Sequence, residues 1–326
     1  MSLITLDELR EALQRLCGVA LRTPLIPMEV PAERGRLWLK PECLQPIGSF
    51  KLRGAYNKVA QLPTEMLARG VIAYSSGNHA QGVAYAARAM SAKAVIVMPS
   101  NAPEIKRRAT AALGAEIVTV GPNSSERKAK AEELAAACGY AIIPPYDDRA
   151  IIAGQGTCGL EILEEMPEVG LVLVPVGGGG LLSGIAAAIK LSRPEIQVFG
   201  VEPELAADAA ESMKAGKLMS LNNGSAGQTV ETLADGLRTQ SLGVLNFAHF
   251  QAYVDGIVTV TETEIREAMR RTIFATRLVP EPSGAVTVAA ALFHGAQLPR
   301  CPRTVAVISG GNVEPKLLST ILQEAI

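Results

Sequence analysis

A lysine enclosed by apolar residues and glycines is the first candidate for chemistry in this sequence. Lys51 stands in the stretch GSFKLRGAYN, between Phe50 and Leu52, and a glycine flanks the group on each side. Lysine ammonium groups normally stay in contact with water, whereas an apolar environment favours the neutral, nucleophilic amine. The stretch therefore predicts either an ordinary solvated charge or an amine that is held ready to react.

A run of glycines is the second candidate. Gly177, Gly178, Gly179 and Gly180 follow the apolar stretch LVLVPV and precede a predicted helix. Such a turn binds anions, because free backbone N–H groups and the helix dipole converge on it. The run lacks the last glycine of the dinucleotide fingerprint, and no G-K-[ST] of a P-loop follows it. We expect a cradle for a single phosphate monoester; a tight turn is the alternative, although it would not require four glycines.

A reactive lysine together with a monophosphate cradle indicates pyridoxal 5′-phosphate. The aldehyde of this cofactor forms a carbon–nitrogen double bond with a lysine amine, and its ring then accepts electrons from the substrate. A solvated lysine and a structural glycine turn are each common, so neither feature is decisive alone. The prediction depends on both features occurring in one chain.

Apolar runs alternate with helical patterns through most of the chain, which predicts parallel sheets with helices on both faces. Three strand-and-helix units fill residues 70–147, and a second series ends with TVAVISGGN. The sequence therefore predicts an α/β protein with two open, parallel, twisted sheets flanked by helices. We expect a small domain, residues 70–147, inserted into a larger, discontinuous cofactor-binding domain formed by residues 1–69 and 148–326.

Composition narrows the class of protein. The 326 residues are 48% hydrophobic and 19% charged with a formal net charge of −1, which argues against a nucleic-acid binder. The five scattered cysteines include no C-x-x-C pair, which is typical of reduced thiols in a cytoplasmic protein. The uncharged segment 169–189 is about as long as a bilayer span, but its proline and glycines favour a strand, a turn and a helix of a soluble protein.

Seven motifs occur in the order typical of threonine/serine dehydratases and serine racemases. They are GSFKLRGAYN, SSGNHAQGVA, PYDDRAIIAGQGT, PVGGGGLLSG, ETLADGL, EPSGA and SGGNV, and they extend over about residues 20–315. The chain resembles this group of fold-type-II, tryptophan-synthase-β-like pyridoxal-phosphate enzymes over nearly its whole length.

The resemblance assigns roles to the cofactor-binding residues. Lys51 would carry the cofactor, the glycine run would hold its phosphate, and Phe50 would pack against its ring. Asn78 would form a hydrogen bond with the 3′-hydroxyl, and Ser309 would face the pyridine nitrogen. A hydroxyl at that position leaves the nitrogen unprotonated, which weakens the electron sink and favours loss of a β-hydroxyl over transamination.

The resemblance also implies a turn that binds the substrate. Ser75, Ser76, Gly77, Asn78 and His79 would grip the α-carboxylate with N–H and hydroxyl groups. Ser76 matches the serine that racemases of the family use as a second acid/base on the face opposite the lysine; a helix N-cap is the alternative. For His79 the alternative is packing at the start of a helix.

A cation site is implied elsewhere. Glu202, Ala206 and Asp208 match the spacing at which relatives bind Mg²⁺ or Ca²⁺ through two carboxylates and a carbonyl, and hard oxygen ligands suit these ions. Two solvated acids are the alternative. Arg127 resembles a family arginine near the substrate carboxylate, where a solvated helix face is the alternative. The pair Asp235-Gly236 is expected to form part of the wall of the cofactor site. An ordinary turn is the alternative, because Asp-Gly pairs are common in turns.

The implied activity is an ammonia-lyase that dehydrates L-threonine or L-serine to 2-oxobutanoate or pyruvate. Lys51 would remove the Cα proton. The alternatives are a serine racemase, with Ser76 reprotonating Cα, and a 3-hydroxyaspartate dehydratase, whose extra carboxylate would need a cation that the sequence does not place. An inactive ligand sensor would lack the lysine or the glycine run, and both are present. We expect a homodimer that acts on a small amino acid, without a nucleic-acid or membrane partner.

Overall fold

Two β-sheets organise the chain in a computed structural model, which describes residues 2–30, 35–75, 77–121, 124–221 and 231–324, without the side chains of residues 124 and 125. The strands of the described residues are β1 Ile26–Met28, β2 Arg36–Pro41, β3 Val71–Tyr74, β4 Ala94–Pro99, β5 Glu116–Val120, β6 Ala141–Ile142, β7 Leu171–Pro175, β8 Gln197–Pro203, β9 Gly256–Val260 and β10 Arg303–Ile308. Their apolar side chains are mostly buried, as expected for strands covered on both faces.

Helices cover both faces of the sheets. Among the described residues they are α1 Leu6–Arg15, α2 Lys51–Val59, α3 Thr64–Arg69, α4 Asn78–Ala89, α5 Glu104–Ala112, α6 Ser124–Cys138, α7 Arg149–Glu165, α8 Gly180–Ser192, α9 Asp208–Ala215, α10 Val244–Tyr253, α11 Glu262–Thr276, α12 Pro282–Phe293 and α13 Pro315–Gln323. Several begin at local signals in the sequence. Thr5 and Glu8 form a capping box at α1, and Asp148 caps α7 by accepting hydrogen bonds from two backbone N–H groups.

The larger sheet has the strand order β1-β2-β10-β7-β8-β9. All its neighbouring strands are parallel except β1 and β2 at one edge, which are antiparallel. The predicted parallel sheet is confirmed here, with one difference at its edge. An antiparallel neighbour needs no crossover helix, so the short connection from β1 to β2 is sufficient.

The smaller sheet has the order β5-β4-β3-β6 and is parallel throughout its described strands. These four strands lie within residues 70–147, and the predicted fold class with two helix-covered sheets is confirmed. The domain boundaries themselves stay a prediction, because flanking helices share the core of the smaller sheet. Ala55 and Val59 of α2 and Ile151 of α7 belong to the same apolar cluster as Val71 of β3.

The uncharged segment 169–189 forms β7, the glycine turn and most of α8. Its apolar residues lie in the buried core beside the larger sheet. No helix among the described residues is both long enough and apolar enough to cross a membrane.

Candidate active site

The predicted site residues follow the carboxyl ends of three strands, where parallel α/β sheets bind their ligands. Ser75 follows β3, the glycine turn follows β7, and Ser309 follows β10. Two contacts join the end of β10 to the segment that leads into α2. The N–H of Phe50 donates to the carbonyl of Ser309 at 3.0 Å, and Ser49 forms an isolated antiparallel bridge with Gly310. The structure therefore places Lys51 and Ser309 on adjoining segments.

Lys51 is the first residue of α2 and is largely buried. Its Nζ donates a hydrogen bond to the carbonyl of Pro145 at 2.8 Å and lies 5.2 Å from the centre of the Phe50 ring. Burial lowers the pKa of the Lys51 amine to about 8. A fraction of about a tenth is therefore neutral at pH 7, far more than for an exposed lysine. The structure thus favours the reactive amine over the solvated charge.

Four buried charged residues fix the first turn of α2. Arg53, two residues after Lys51, donates through Nε to Glu42 at 2.7 Å and through Nη1 to Glu161 at 2.6 Å. Glu161 also accepts a hydrogen bond from Lys40 at 2.7 Å. The four side chains link β2 and the turn after it with α2 and α7. Since each charge is paired, the cluster holds the backbone that carries Lys51 in one place.

The glycine turn combines two steric requirements. Gly179 has φ +97°, in the left-handed region, and α8 begins at the next residue. At Gly178 a Cβ would come within 2.2 Å of the ring of Tyr146. The first N–H groups of a helix have no intrahelical partner and can bind an anion. The turn therefore fits a phosphate group.

Sequence reasoning missed Tyr146, although it stands in the quoted motif PYDDRAIIAGQGT.

Ser309 is buried, and its hydroxyl donates to the carbonyl of Ser283 at 3.3 Å. A hydroxyl can also accept a hydrogen bond or turn its proton to another acceptor. Its position beside Phe50 suits the predicted contact with a pyridine nitrogen, which remains a prediction.

The predicted substrate turn lies between β3 and α4. The Ser75 hydroxyl accepts a hydrogen bond from the N–H of Gly77 at 3.2 Å. Ser76 lies outside the described residues, so its role as a second acid/base stays a prediction. Arg127, on α6, is only partly exposed, and its Nε is buried without a hydrogen-bond partner in the described part of the chain.

Asn78 is the first residue of α4, and both polar atoms of its side-chain amide form hydrogen bonds. Its Nδ2 donates to Glu281 Oε1 at 2.5 Å, and its Oδ1 accepts from Nδ2 of Asn312 at 2.9 Å. Both partners belong to loops beside the larger sheet. The side chain of Asn78 therefore has one fixed orientation between the two sheets.

His79 is buried and lies against the end of β6. Its Nε2 is 2.9 Å from the carbonyl of Ile143, which can only accept, so Nε2 carries the proton. Its Nδ1 has no partner among the described residues. Burial and the nearby Lys51 lower the pKa of His79 to about 3. The ring is therefore neutral, and any contact of this residue with a carboxylate would use its backbone N–H.

Sequence reasoning missed a buried lysine and a buried glutamate beside this turn. Lys106 Nζ, on α5, lies 2.6 Å from Asp235 Oδ2 and 3.0 Å from Glu281 Oε2. Burial alone would lower the pKa of Lys106, but the two carboxylates raise it, so the side chain stays charged. The sequence stretch NAPEIKRRA has the composition of a solvated helix, and nothing local marks its lysine. The predicted wall residue Asp235 is part of this cluster.

The candidate metal residues lie at the carboxyl end of β8. Glu202, Ala206 and Asp208 are buried, so the alternative of two solvated acids is wrong. Glu202 accepts hydrogen bonds from the N–H groups of Ala209 and Ala210 at 3.1 and 2.9 Å. Both carboxylate oxygens of Asp208 lack a hydrogen-bond partner within the described residues.

Burial and repulsion from Asp208 raise the pKa of Glu202, and burial raises the pKa of Asp208 to about 7. A cation would relieve both effects, since hard oxygen donors suit Mg²⁺ and Ca²⁺. The described residues contain no group of three or more His, Cys, Asp or Glu side chains that could hold a metal. The metal site at Glu202, Ala206 and Asp208 therefore stays a prediction, supported by two buried carboxylates that lie close enough to repel each other.

The chain is similar to known proteins over nearly its whole length. A family model described as "Pyridoxal-phosphate dependent enzyme" matches residues 18–310. An L-threonine ammonia-lyase from Thermotoga maritima is 41% identical over 99% of this chain and 79% of its own length. An L-threo-3-hydroxyaspartate ammonia-lyase from Saccharomyces cerevisiae is 38% identical over 98% of this chain and 96% of the relative.

A solved structure of maize serine racemase has a TM-score of 0.93 and 35% identity over 98% of this chain and 97% of that one. The chain belongs to the family of pyridoxal-phosphate-dependent enzymes. The predicted family and cofactor are thereby confirmed.

Proposed function

We propose that this protein is an ammonia-lyase that uses pyridoxal phosphate to dehydrate L-threonine and L-serine, yielding 2-oxobutanoate and pyruvate with ammonia. The observation that carries the proposal is the position of Lys51, a largely buried amine that donates to the carbonyl of Pro145 and lies over the ring of Phe50. Burial lowers the pKa of this amine to about 8. Tyr146, the residue after Pro145, lies against Gly178 of the glycine turn, and Phe50, the residue before Lys51, bonds to Ser309 at the end of β10. These contacts support a phosphate cradle and a ring-nitrogen partner near the amine. The similarity to the L-threonine ammonia-lyase of Thermotoga maritima supports the choice of substrate.

The cofactor, when bound, supplies the electron sink for the carbanion at the substrate Cα. Lys51 would hold the cofactor covalently and would serve as the base that takes the Cα proton. The carbonyl of Pro145, 2.8 Å from Nζ, orients the amine for this step. The glycine turn at residues 177–180 would bind the phosphate, and the Ser309 hydroxyl would face the ring nitrogen.

The substrate carboxylate would lie on the turn before α4. The N–H groups of Asn78 and His79 stand at the start of this helix, where the dipole favours a negative charge. The hydroxyls of Ser75 and Ser76 would add donors. This arrangement would leave the Cα–H bond exposed to the Lys51 amine.

Serine racemisation is the second candidate, and the similarity to maize serine racemase favours it as an additional activity. It would require Ser76 to return a proton to the face of Cα opposite Lys51. Incubation with L-serine, followed by chiral analysis for D-serine and an assay for pyruvate, separates the two activities.

A 3-hydroxyaspartate lyase has support from the yeast relative. Its substrate carries a second carboxylate, which needs a cation. Lys106 lies near the turn but is already paired with Asp235 and Glu281. These contacts favour threonine and serine, which have one carboxylate.

The test of the main proposal is the variant Lys51→Ala. It should lose both the visible absorption of the bound cofactor and the release of 2-oxobutanoate from L-threonine. Lys58→Ala is a matched control on the same helix, where Lys58 pairs with Asp148. Retained turnover in Lys51→Ala, measured against the Lys58→Ala control, would refute the proposal.

The proposal extends to three further properties. Glu202, Asp208 and the carbonyl of Ala206 would bind Mg²⁺ or Ca²⁺. A cytoplasmic location is supported by the five cysteines, all of which lie in the described part of the chain and are free. The protein would also form a homodimer, and exposed apolar side chains such as Phe274, which is 61% exposed, would be available to its interface.

A further inference from the structure

The carboxylate of Glu281 connects two side chains of the candidate site. One oxygen accepts the hydrogen bond from Asn78 at 2.5 Å, and the other lies 3.0 Å from Nζ of Lys106. Only 1% of Glu281 and 2% of Lys106 is exposed. A buried carboxylate without partners would be strongly destabilising, so both contacts are needed to keep Glu281 in place.

These contacts cross between the two sheets. Asn78 and Lys106 stand on α4 and α5, which accompany the smaller sheet, whereas Glu281 immediately precedes α12 and Asp235 lies in a short 3-10 helix packed near α12. The cluster also touches the predicted substrate turn, because a Cβ at Gly77 would come within 2.9 Å of Cδ of Lys106. Glu281 and Lys106 thus join the sheets at the place where substrate and cofactor would meet.

The amide of Asn78 is restricted by this arrangement. An amide offers two N–H donors and an oxygen with two lone pairs. Glu281 uses one donor and Asn312 uses one lone pair. A flipped amide would set its oxygen against the Glu281 carboxylate and its NH₂ against the Asn312 amide donor, so only the observed orientation is favourable. One N–H and one lone pair remain for a ligand.

We propose that Glu281 and Lys106 are positioning residues for the reaction. Glu281 holds the Asn78 amide in the orientation that presents its remaining donor to the cofactor hydroxyl. Lys106 holds Glu281 at that place and joins the two sheets around it. The inference rests on the proposed function, in which Asn78 contacts the 3′-hydroxyl of the cofactor.

Charge in the cluster supports this arrangement. Burial and the nearby Asp235 raise the pKa of Glu281, whereas Lys106 and Asn78 act in the opposite direction. Without the Lys106 ammonium, the carboxylates of Asp235 and Glu281 would repel each other. Glu281 would then take up a proton or turn away. Either change would alter the hydrogen bond to Asn78.

The experiment compares Glu281→Gln and Lys106→Met with wild type. Glutamine keeps the shape and one acceptor of Glu281 but loses its attraction to Lys106, and Lys106→Met leaves every group around Asn78 intact. Glu314→Gln is the matched control, because Glu314 accepts a hydrogen bond from the N–H of Ile105 at 3.1 Å and so joins the same helix to the C-terminal loop. All variants are first checked for folding by circular dichroism.

Two readouts besides turnover are measured on each folded variant. They are the dissociation constant of pyridoxal phosphate and the ratio of the two absorption bands of the bound cofactor, which responds to hydrogen bonding at the 3′-hydroxyl. We expect Glu281→Gln and Lys106→Met to weaken cofactor binding by about tenfold and to change the band ratio. Lys106→Arg keeps the positive charge, so its cofactor affinity and band ratio should lie closer to wild type than those of Lys106→Met. Glu314→Gln should match wild type in both.

An unchanged band ratio and affinity in either folded variant would overturn the inference. Should one variant fail to fold, the other decides the outcome, and Lys106→Arg replaces Lys106→Met if neither folds. Failure of the proposed function gives a different result: wild type would then bind the cofactor but release neither 2-oxobutanoate nor pyruvate, and the cofactor measurements on the variants would still decide the inference.

Discussion

The ring of Tyr146 lies directly on the backbone of Gly178. A Cβ at Gly178 would come within 2.2 Å of the ring, and the residue before the tyrosine, Pro145, accepts the hydrogen bond from Lys51. Asp147, the next residue, accepts hydrogen bonds from the first N–H groups of α10. The short segment 145–147 therefore sets the Lys51 amine, the glycine turn and α10 relative to one another.

This contact predicts that Gly178→Ala will distort the glycine turn and weaken the binding of the cofactor phosphate that we propose for it. The added methyl would displace the Tyr146 ring or the turn, and we expect cofactor affinity to fall by about tenfold or more, measured by fluorescence titration. Tyr146→Ala in the same chain removes the clash and should restore part of the affinity. Purely additive effects in this double-mutant cycle would contradict the contact.

Burial of Lys51 predicts how covalent capture of the cofactor depends on pH. The neutral amine is the nucleophile, and its fraction rises as pH increases through a pKa of about 8. The rate at which cofactor-free protein forms the visible absorption band should therefore increase from pH 6 to about 8 and then level off. A rate that is still rising tenfold per pH unit above pH 9 would show that Lys51 has an ordinary pKa.

The buried cluster around Arg53 predicts a large loss of stability in Glu161→Gln. Glu161 pairs with both Arg53 and Lys40, so the substitution leaves buried positive charge uncompensated. We expect a loss of about 3 kcal/mol or more in the free energy of unfolding, measured by urea denaturation. The control Glu195→Gln breaks the exposed pair with Arg193 and should change little. Equal effects of the two substitutions would disprove the structural role of the cluster.

The buried acids near β8 predict stabilisation by a divalent cation. Adding Mg²⁺ or Ca²⁺ should raise the melting temperature by about 5 °C, because the ion binds only the folded protein and relieves repulsion between Glu202 and Asp208. Asp208→Asn should abolish this increase. Glu204→Gln, an exposed carboxylate two residues from Glu202, is the control and should keep it. The proposed cation site would be ruled out if Asp208→Asn showed the same rise in melting temperature as wild type.

The amino-acid sequence by itself determined the alternation of strands and helices, the position of Lys51 between two apolar residues, and the glycine turn. These features are local: apolar runs mark buried strands, and residues 177–180 stand directly between β7 and α8. Local order also places Phe50 beside Lys51 whatever the fold around them. The family motifs were recognisable for the same reason, since each lies within a short stretch.

The tertiary structure alone decided which distant groups meet. Asn78 and Glu281 are 203 residues apart in the chain, and Lys106 and Asp235 are 129 apart, yet both pairs are in hydrogen-bond contact. Burial of Lys106 and of Asp208 likewise depends on packing between elements that are far apart in the sequence. A charged side chain on a helix has the same local pattern whether water or a buried carboxylate is its partner, so only the folded chain distinguishes the two.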